Sequence, residues 1–225
     1  MFTAKRLLRR LAAAAHTGLG KQLRPTILSV LVLSLVTGGV FPLVLSVIGV
    51  FLFPYQAAGS LTVLRGVVVG SRLIGQNFTG PEWFQSRPSA AGSGYDGTAS
   101  SGTNLAPGNP RLTEGASGFA GIRELAAQYR RRNGLAADTP IPIDAVTRSG
   151  SGLDPDISPA NAFLQVARVA KARKLAETAV HRLVAAHVVQ PEFGFLGEPR
   201  VPVLELNLAL IRLQQQGAPG SQAVR

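Results

Sequence analysis

Forty consecutive positions, Pro25 to Leu64, carry no charged side chain, and the stretch from Thr26 to Phe53 inside them is almost wholly aliphatic. A bilayer core of about 30 Å is crossed by about 20 apolar residues in helical form. The run therefore predicts one membrane-spanning helix over 26–53. Lys5, Arg6, Arg9, Arg10, Lys21 and Arg24 precede it without one acidic residue, whereas Arg65 and Arg72 are the only early charges beyond it. Basic flanks are retained in the cytoplasm. The expected topology is thus a cytoplasmic N-terminal segment (1–25), a single span, an extracytoplasmic domain (54–216) and a flexible tail (217–225). A cleaved signal peptide is the rival reading, with Ala57-Ala58-Gly59 resembling a cleavage site. The apolar region of a signal peptide is only about 7 to 15 residues long, and this one is much longer.

Charge adds little beyond topology. The formal net charge is +11, but six positive charges fall within the first 24 residues, which leaves 17 basic against 12 acidic side chains for the rest. Such a cluster attracts anionic lipid head groups. Nucleic-acid recognition would call for cations interleaved with stacking aromatics on the folded domain, and aromatics make up 6 % of the chain. Nucleic acid is therefore excluded as a partner. With no cysteine, disulfides, thiolate ligands and lipoprotein acylation are excluded too.

Residues 1–24 read equally as a short amphipathic helix, with Leu7, Leu8, Leu11 and Ala15 opposite the arginines, or as a frayed basic tail. Within the span, Ser34, Gly38, Pro42, Ser46 and Gly49 recur at intervals of four, four, four and three. That spacing sets small residues and a proline on one stripe, where a second helix can approach closely. Pro42 presses on the carbonyl four residues earlier, so a bend is expected near Gly38-Gly39. Phe53-Pro54-Tyr55 ends the span at an interface.

Beyond it, Leu61 to Val69 is rich in β-branched residues and predicts a first strand. Residues 85–118 are loaded with Gly, Ser, Pro and Asn and predict a long loop. A helical pattern from Phe119 to Arg132 ends at Asn133-Gly134. Ile141 to Val146 is strand-like. Ser158-Pro159 opens a helix with a capping serine and a proline in its first turn, and a second helix follows over about Ala176 to Val189. Val201 to Leu206 predicts a last strand and Asn207 to Gln216 a closing helix. Strands and helices without regular alternation predict an α+β domain.

The sequence has no phosphate-binding loop, no nucleophile elbow and no metal-ligand spacing among its three histidines. Ser149-Gly150-Ser151-Gly152-Leu153-Asp154-Pro155 is the one loop that could present a nucleophile or cradle an anion, and its composition equally suits plain turn chemistry. An anchored serine hydrolase using Ser149 or Ser151 would need a general base that the sequence does not supply. An anchored envelope scaffold would share the topology.

An ordered series of motifs narrows this further. It runs from Leu23-Arg24-Pro25, Thr37-Gly38, Phe41-Pro42 and Phe53-Pro54 through Gln56-Ala57-Ala58-Gly59-Ser60-Leu61 to Gly70-Ser71-Arg72-Leu73-Ile74-Gly75-Gln76. Trp83-Phe84, Arg87-Pro88-Ser89-Ala90, Ser101-Gly102-Thr103-Asn104-Leu105 and Asn109-Pro110 follow, then Ile143-Asp144, the 149–155 loop, Ile157-Ser158-Pro159-Ala160 and Gly197-Glu198-Pro199-Arg200-Val201. In this series the chain resembles the C subunit of the bacterial Kdp potassium-transporting P-type ATPase. Trp83, Ala106, Gly108, Asp156 and Pro202 depart from the usual pattern of that family.

The resemblance implies a non-catalytic, non-conducting accessory subunit of a high-affinity potassium uptake pump in the bacterial inner membrane. Its implied role is that of a catalytic chaperone, which stabilises the complex and raises the ATP affinity of the P-type ATPase subunit. Implied partners are a channel-like potassium-binding subunit, that ATPase subunit and a small single-span peptide. ATP and potassium belong to the complex, and no cofactor is expected on this chain alone. Gln76, Arg87, Asn104, Asn109, Asp144, Ser149, Ser151 and Asp154, in or beside the shared loops, are expected to order those loops or to contact another subunit.

Overall fold

The computed structural model describes residues 21–217. The expectations for the remaining residues, an amphipathic segment near the N-terminus and a flexible tail, lie outside the described residues. The chain divides between Gly59 and Ser60 into two compact units.

The first unit is built on α1 (Lys21–Leu52), 32 residues long with a mean hydropathy of 2.4 over an 18-residue stretch, long and apolar enough to cross a membrane. Its ladder is interrupted by a π-helical turn, Val36–Val40, where the Phe41 N–H reaches back to the Val36 carbonyl. Pro42 supplies the reason, since it has no N–H for the Gly38 carbonyl and its ring crowds that oxygen. The departure from α-helical geometry falls on the Gly38-Gly39 pair, where the bend was expected. A wider turn also slows the rotation per residue. It thereby offsets the drift that four-residue spacing accumulates on a helix of about 3.6 residues per turn, and keeps Ser34, Gly38 and Ser46 nearer one line. The Ser46 hydroxyl donates to the Pro42 carbonyl and that of Thr37 to Leu33, both at 2.7 Å. These groups are satisfied within the helix, as an apolar solvent requires. A short helix, α2 (Pro54–Ala57), follows.

The second unit opens with a correction. The expected single strand over Leu61 to Val69 is a hairpin, β1 (Leu61–Leu64) against β2 (Val67–Ser71), turning at Arg65-Gly66. Both turn residues have positive φ, 52° and 80°. That is the left-handed two-residue turn whose twist matches antiparallel strands. The glycine- and serine-rich segment 85–118 is a long loop as expected, interrupted by α3 (Pro110–Glu114), which Asn109 caps by accepting from the Arg111 N–H. α4 (Ile122–Asn133) starts three residues later than the pattern suggested and stops at Gly134, which takes the left-handed cap conformation at φ 65°.

Two further strand expectations are overturned. Residues Ile143–Ala145 form a 3-10 turn, because Asp144 is drawn to the start of the next helix instead of lying in a ladder. In the Val201 to Leu206 segment only β4 (Val201–Pro202) is strand, paired with β3 (Asp156–Ile157), and the chain then enters α7 (Val203–Gly217). An apolar run of that length fits either period. α5 (Pro159–Arg173) begins as predicted, with the Ser158 hydroxyl accepting from the Asn161 N–H at 3.1 Å. α6 (Glu177–Ala186) follows it.

Helix α5 packs against α4 and α6, and α6 against α7. The main core gathers Phe84, Ile157, Val166, Val169, Val180, Val184, Val201, Leu206 and Leu210. A smaller cluster of Tyr129, Ala145 and Val146 lies on the α4 side. The mixed α+β domain thus has its apolar centre among α5, α6 and α7, with the loops laid over them.

Candidate functional site

Helix α5 carries polar side chains where its neighbours are core. Asn161, Gln165 and Arg168 recur at intervals of four and three, on one helical stripe, and all three are buried. Each has a defined partner set, as burial of polar groups demands. The Gln165 amide brackets the backbone of Gln85, accepting from its N–H at 2.8 Å and donating to its carbonyl at 3.1 Å. Asn207 on α7 does the same for Phe84, with both bonds at 2.9 Å. Two helix-borne amides thereby imitate the edge of a strand and hold a loop whose Phe84 ring is 0 % exposed.

The network extends both ways from that bracket. Asn161 Oδ1 accepts from the Tyr129 hydroxyl at 2.8 Å and from Gln165 at 2.9 Å, while its amide nitrogen donates to Asp144 at 2.9 Å. The Asp144 carboxylate also accepts from the Ser158 N–H and hydroxyl, each at 2.8 Å, a favourable place for negative charge beside a helix N-terminus. On the other side Arg168 donates to Asn133, Gln165 and the carbonyls of Pro81 and Trp83. Burial lowers the Arg168 pKa to about 10, with repulsion from Arg132 the next cause. Burial, reinforced by the Asp144 charge, raises that of Tyr129. Arg168 remains cationic and Tyr129 neutral at physiological pH, so both act as hydrogen-bond donors.

A second set of contacts laces the loops together. Arg87 pairs with Asp154 at 2.7 Å, and the other Asp154 oxygen accepts from the Asp156 N–H. The Tyr95 hydroxyl donates to the Arg87 carbonyl, and burial pushes its pKa up to about 12. The Ser151 hydroxyl accepts from Leu153 N–H, while its carbonyl accepts from Ser101 N–H and the Ser100 hydroxyl. Gln76 donates to the Val69 carbonyl at 2.9 Å. Backbones here approach so closely that Gly152, at φ 70°, has no room for a Cβ, which would lie 2.5 Å from the Ser101 carbonyl oxygen and 2.6 Å from Ala91 N. A Cβ on Gly75 would meet the Asp154 carbonyl oxygen.

The sequence-predicted residues are therefore not one centre. Arg87 and Asp154 are brought together as an ion pair, Gln76, Asp144 and Ser151 each hold a different part of the loops, and Asn109 caps α3. Asn104 and Ser149 come together instead on the wall of an open groove of about 730 Å³, with Leu105, Leu112, Ile122 and Arg148. Arg148 there stacks 4.2 Å over Phe119 and donates to the Ala120 carbonyl. No hydrogen bond joins Ser149 or Ser151 to a histidine or carboxylate among the described residues. His181 stacks on Phe163 at 4.6 Å and His187 bonds the Leu183 carbonyl. Among the described residues no group of three or more metal-ligating side chains occurs.

Asn161, Gln165, Arg168 and Asn207 carry the central network, and none was singled out from the sequence as a site residue. The available signal was their position. On amphipathic helices they occupy the apolar stripe, with Ala162, Val166 and Val169 around the first three and Leu206 and Leu208 beside the fourth.

The comparisons agree on one family. The family described as KdpC, K+-transporting ATPase, c chain, matches residues 23–212. A protein of Mycobacterium tuberculosis named potassium-transporting ATPase KdpC subunit is 49 % identical over 193 residues, covering 86 % of this chain and 99 % of that protein. Equally named proteins of Koribacter versatilis and Beijerinckia indica are 45 % identical over 199 residues and 50 % identical over 191 residues. They cover 88 % and 84 % of this chain, and 98 % and 93 % of their own lengths.

Proposed function

The chain belongs to the KdpC family, the c chain of the K+-transporting ATPase, and on that premise we propose how this accessory subunit of the Kdp pump works. It stabilises the assembled complex and raises the ATP affinity of the P-type subunit without hydrolysing ATP or conducting potassium. The six unopposed cations before Thr26 keep its N-terminus in the cytoplasm, which places the folded domain on the periplasmic side, opposite to ATP. Its effect on nucleotide affinity is then one of linkage, since a subunit that binds one conformation of its partner more tightly shifts every equilibrium coupled to that conformation.

The observation that carries this reading is how the polar side chains of the domain are used. Asp144, Asn161, Gln165, Arg168 and Asn207 hold loops to helices, and among the described residues no histidine or carboxylate is hydrogen-bonded to either candidate serine. The product is a shaped, ordered surface, which suits docking on the channel-like subunit. In the membrane, the stripe of Ser34, Gly38, Pro42, Ser46 and Gly49 receives a helix of a partner subunit.

Gly38 provides the test. Among the described residues a Cβ there meets nothing within 4 Å, so the site has room for a larger side chain until another helix lies against it. Gly38→Leu should lower recovery of the pump subunits with the tagged chain in mild detergent more than Leu33→Ala or Leu43→Ala does. Equal effects at all three positions would reduce the stripe to ordinary transmembrane composition.

A further inference from the structure

Between α6 and β4 the chain makes a small excursion with no role in the network above. The Val189 and Arg200 backbones bridge at its base, and Glu192 and Leu196 exchange two hydrogen bonds, of 3.0 and 2.9 Å, near its end. At the tip Phe193 and Gly194 both take positive φ, 53° and 81°. A left-handed phenylalanine is unfavourable, because its Cβ crowds the backbone. The turn itself holds that conformation, with the Phe195 N–H donating to the Glu192 carbonyl at 3.2 Å and the Gly194 N–H to the Pro191 carbonyl at 3.0 Å. Phe193 is 85 % exposed and Phe195 75 %, Leu196 is exposed beside them, and none belongs to either apolar cluster. A turn that lifts two aromatic rings into solvent, where no core side chain covers them, presents them to something outside the chain.

Charge selects what that is. From Val189 to Pro199 the segment has two acidic residues, Glu192 and Glu198, and no basic one. Both are exposed, and the ion pairs among the described residues involve neither. Anionic lipid head groups repel such a tip, and a second copy of it would bring four carboxylates together. Aromatic anchors flanked by acids fit an apolar pocket with a basic rim on another protein. We propose that Phe193 and Phe195 are the anchors by which the domain docks into such a pocket on the outward face of the channel-like subunit. This rests on the reading above, in which the domain docks on that subunit.

The test uses the full chain in the assembled pump, with benzoylphenylalanine in place of Phe193. Irradiation should yield an adduct with the channel-like subunit. Adducts with lipid alone, with the ATPase subunit alone, or none in a pump that still co-purifies, would overturn the proposal and leave the accessory role standing. In parallel, Phe193→Ser with Phe195→Ser should leave thermal unfolding of the chain unchanged, since neither ring is packed, and lower recovery of the channel-like subunit about ten-fold. Undiminished recovery would also overturn it. If the wild-type chain recovered no pump subunit at all, the functional reading itself would fall, and this inference with it.

Discussion

Asp144→Ala is expected to cost the folded domain about 3 kcal/mol, because three donors, the Ser158 N–H and hydroxyl and the Asn161 amide, lose their acceptor together. A buried donor left unsatisfied costs about 1 to 3 kcal/mol, and bonds to a charged group stand at the upper end. Part of the loss is recovered where water reaches the Ser158 cap, which is why the three do not simply add. For a domain of this size, about 3 kcal/mol corresponds to a fall of roughly 6 to 12 °C in melting temperature. Asp144→Asn, which keeps one carbonyl acceptor, should lose less. If the alanine variant melted with the wild type, the carboxylate would not be what ties the 143–145 turn to α5.

Phe84→Ala is expected to be at least as damaging, at about 3 to 5 kcal/mol for a large buried aromatic, and its signature differs. Phe84 lies on a loop, fixed by its ring in the main core and by the Asn207 amide on its backbone. Removing the ring leaves a cavity among α5, α6 and α7 and frees the segment that Gln165 and Asn207 bracket. Hydrogen exchange should therefore rise first at Phe84 and Gln85, whose N–H groups those amides hold, and only later in the helices. Asn207→Leu should produce the same local exchange with a smaller global loss. Uniform exchange across the domain in both variants would show that the loop and the helices open as one unit.

These two residues also show what was legible in the sequence. Ser158-Pro159 and Asn133-Gly134 are local signals, since a cap or a left-handed stop acts within one turn, and both helix ends fell where those pairs stand. The apolar span and the break in its helical ladder at the glycine pair were readable for the same reason. The Arg65-Gly66 turn was hidden inside a β-branched run, where one glycine after an arginine is a weak hairpin signal. The 141–146 segment has strand composition, yet a tertiary demand, Asp144 reaching Ser158, closed it into a 3-10 turn. The bracketing amides act over the longest range. Gln165 meets Gln85 across 80 positions and Asn207 meets Phe84 across 123, and periodicity along one helix says nothing about what lies opposite it. Within one helix, their trace was a polar residue on an apolar stripe.

The central proposal, that this subunit acts on ATP affinity from the far side of the membrane, rests on orientation. It is tested most directly by fusing, after Arg225 of the full chain, a reporter enzyme that works only outside the cytoplasm, and beside it one that works only inside. The first fusion should be active and the second silent. Activity of the cytoplasmic reporter with the external one silent would place the domain beside the nucleotide, contradicting an effect exerted through assembly alone.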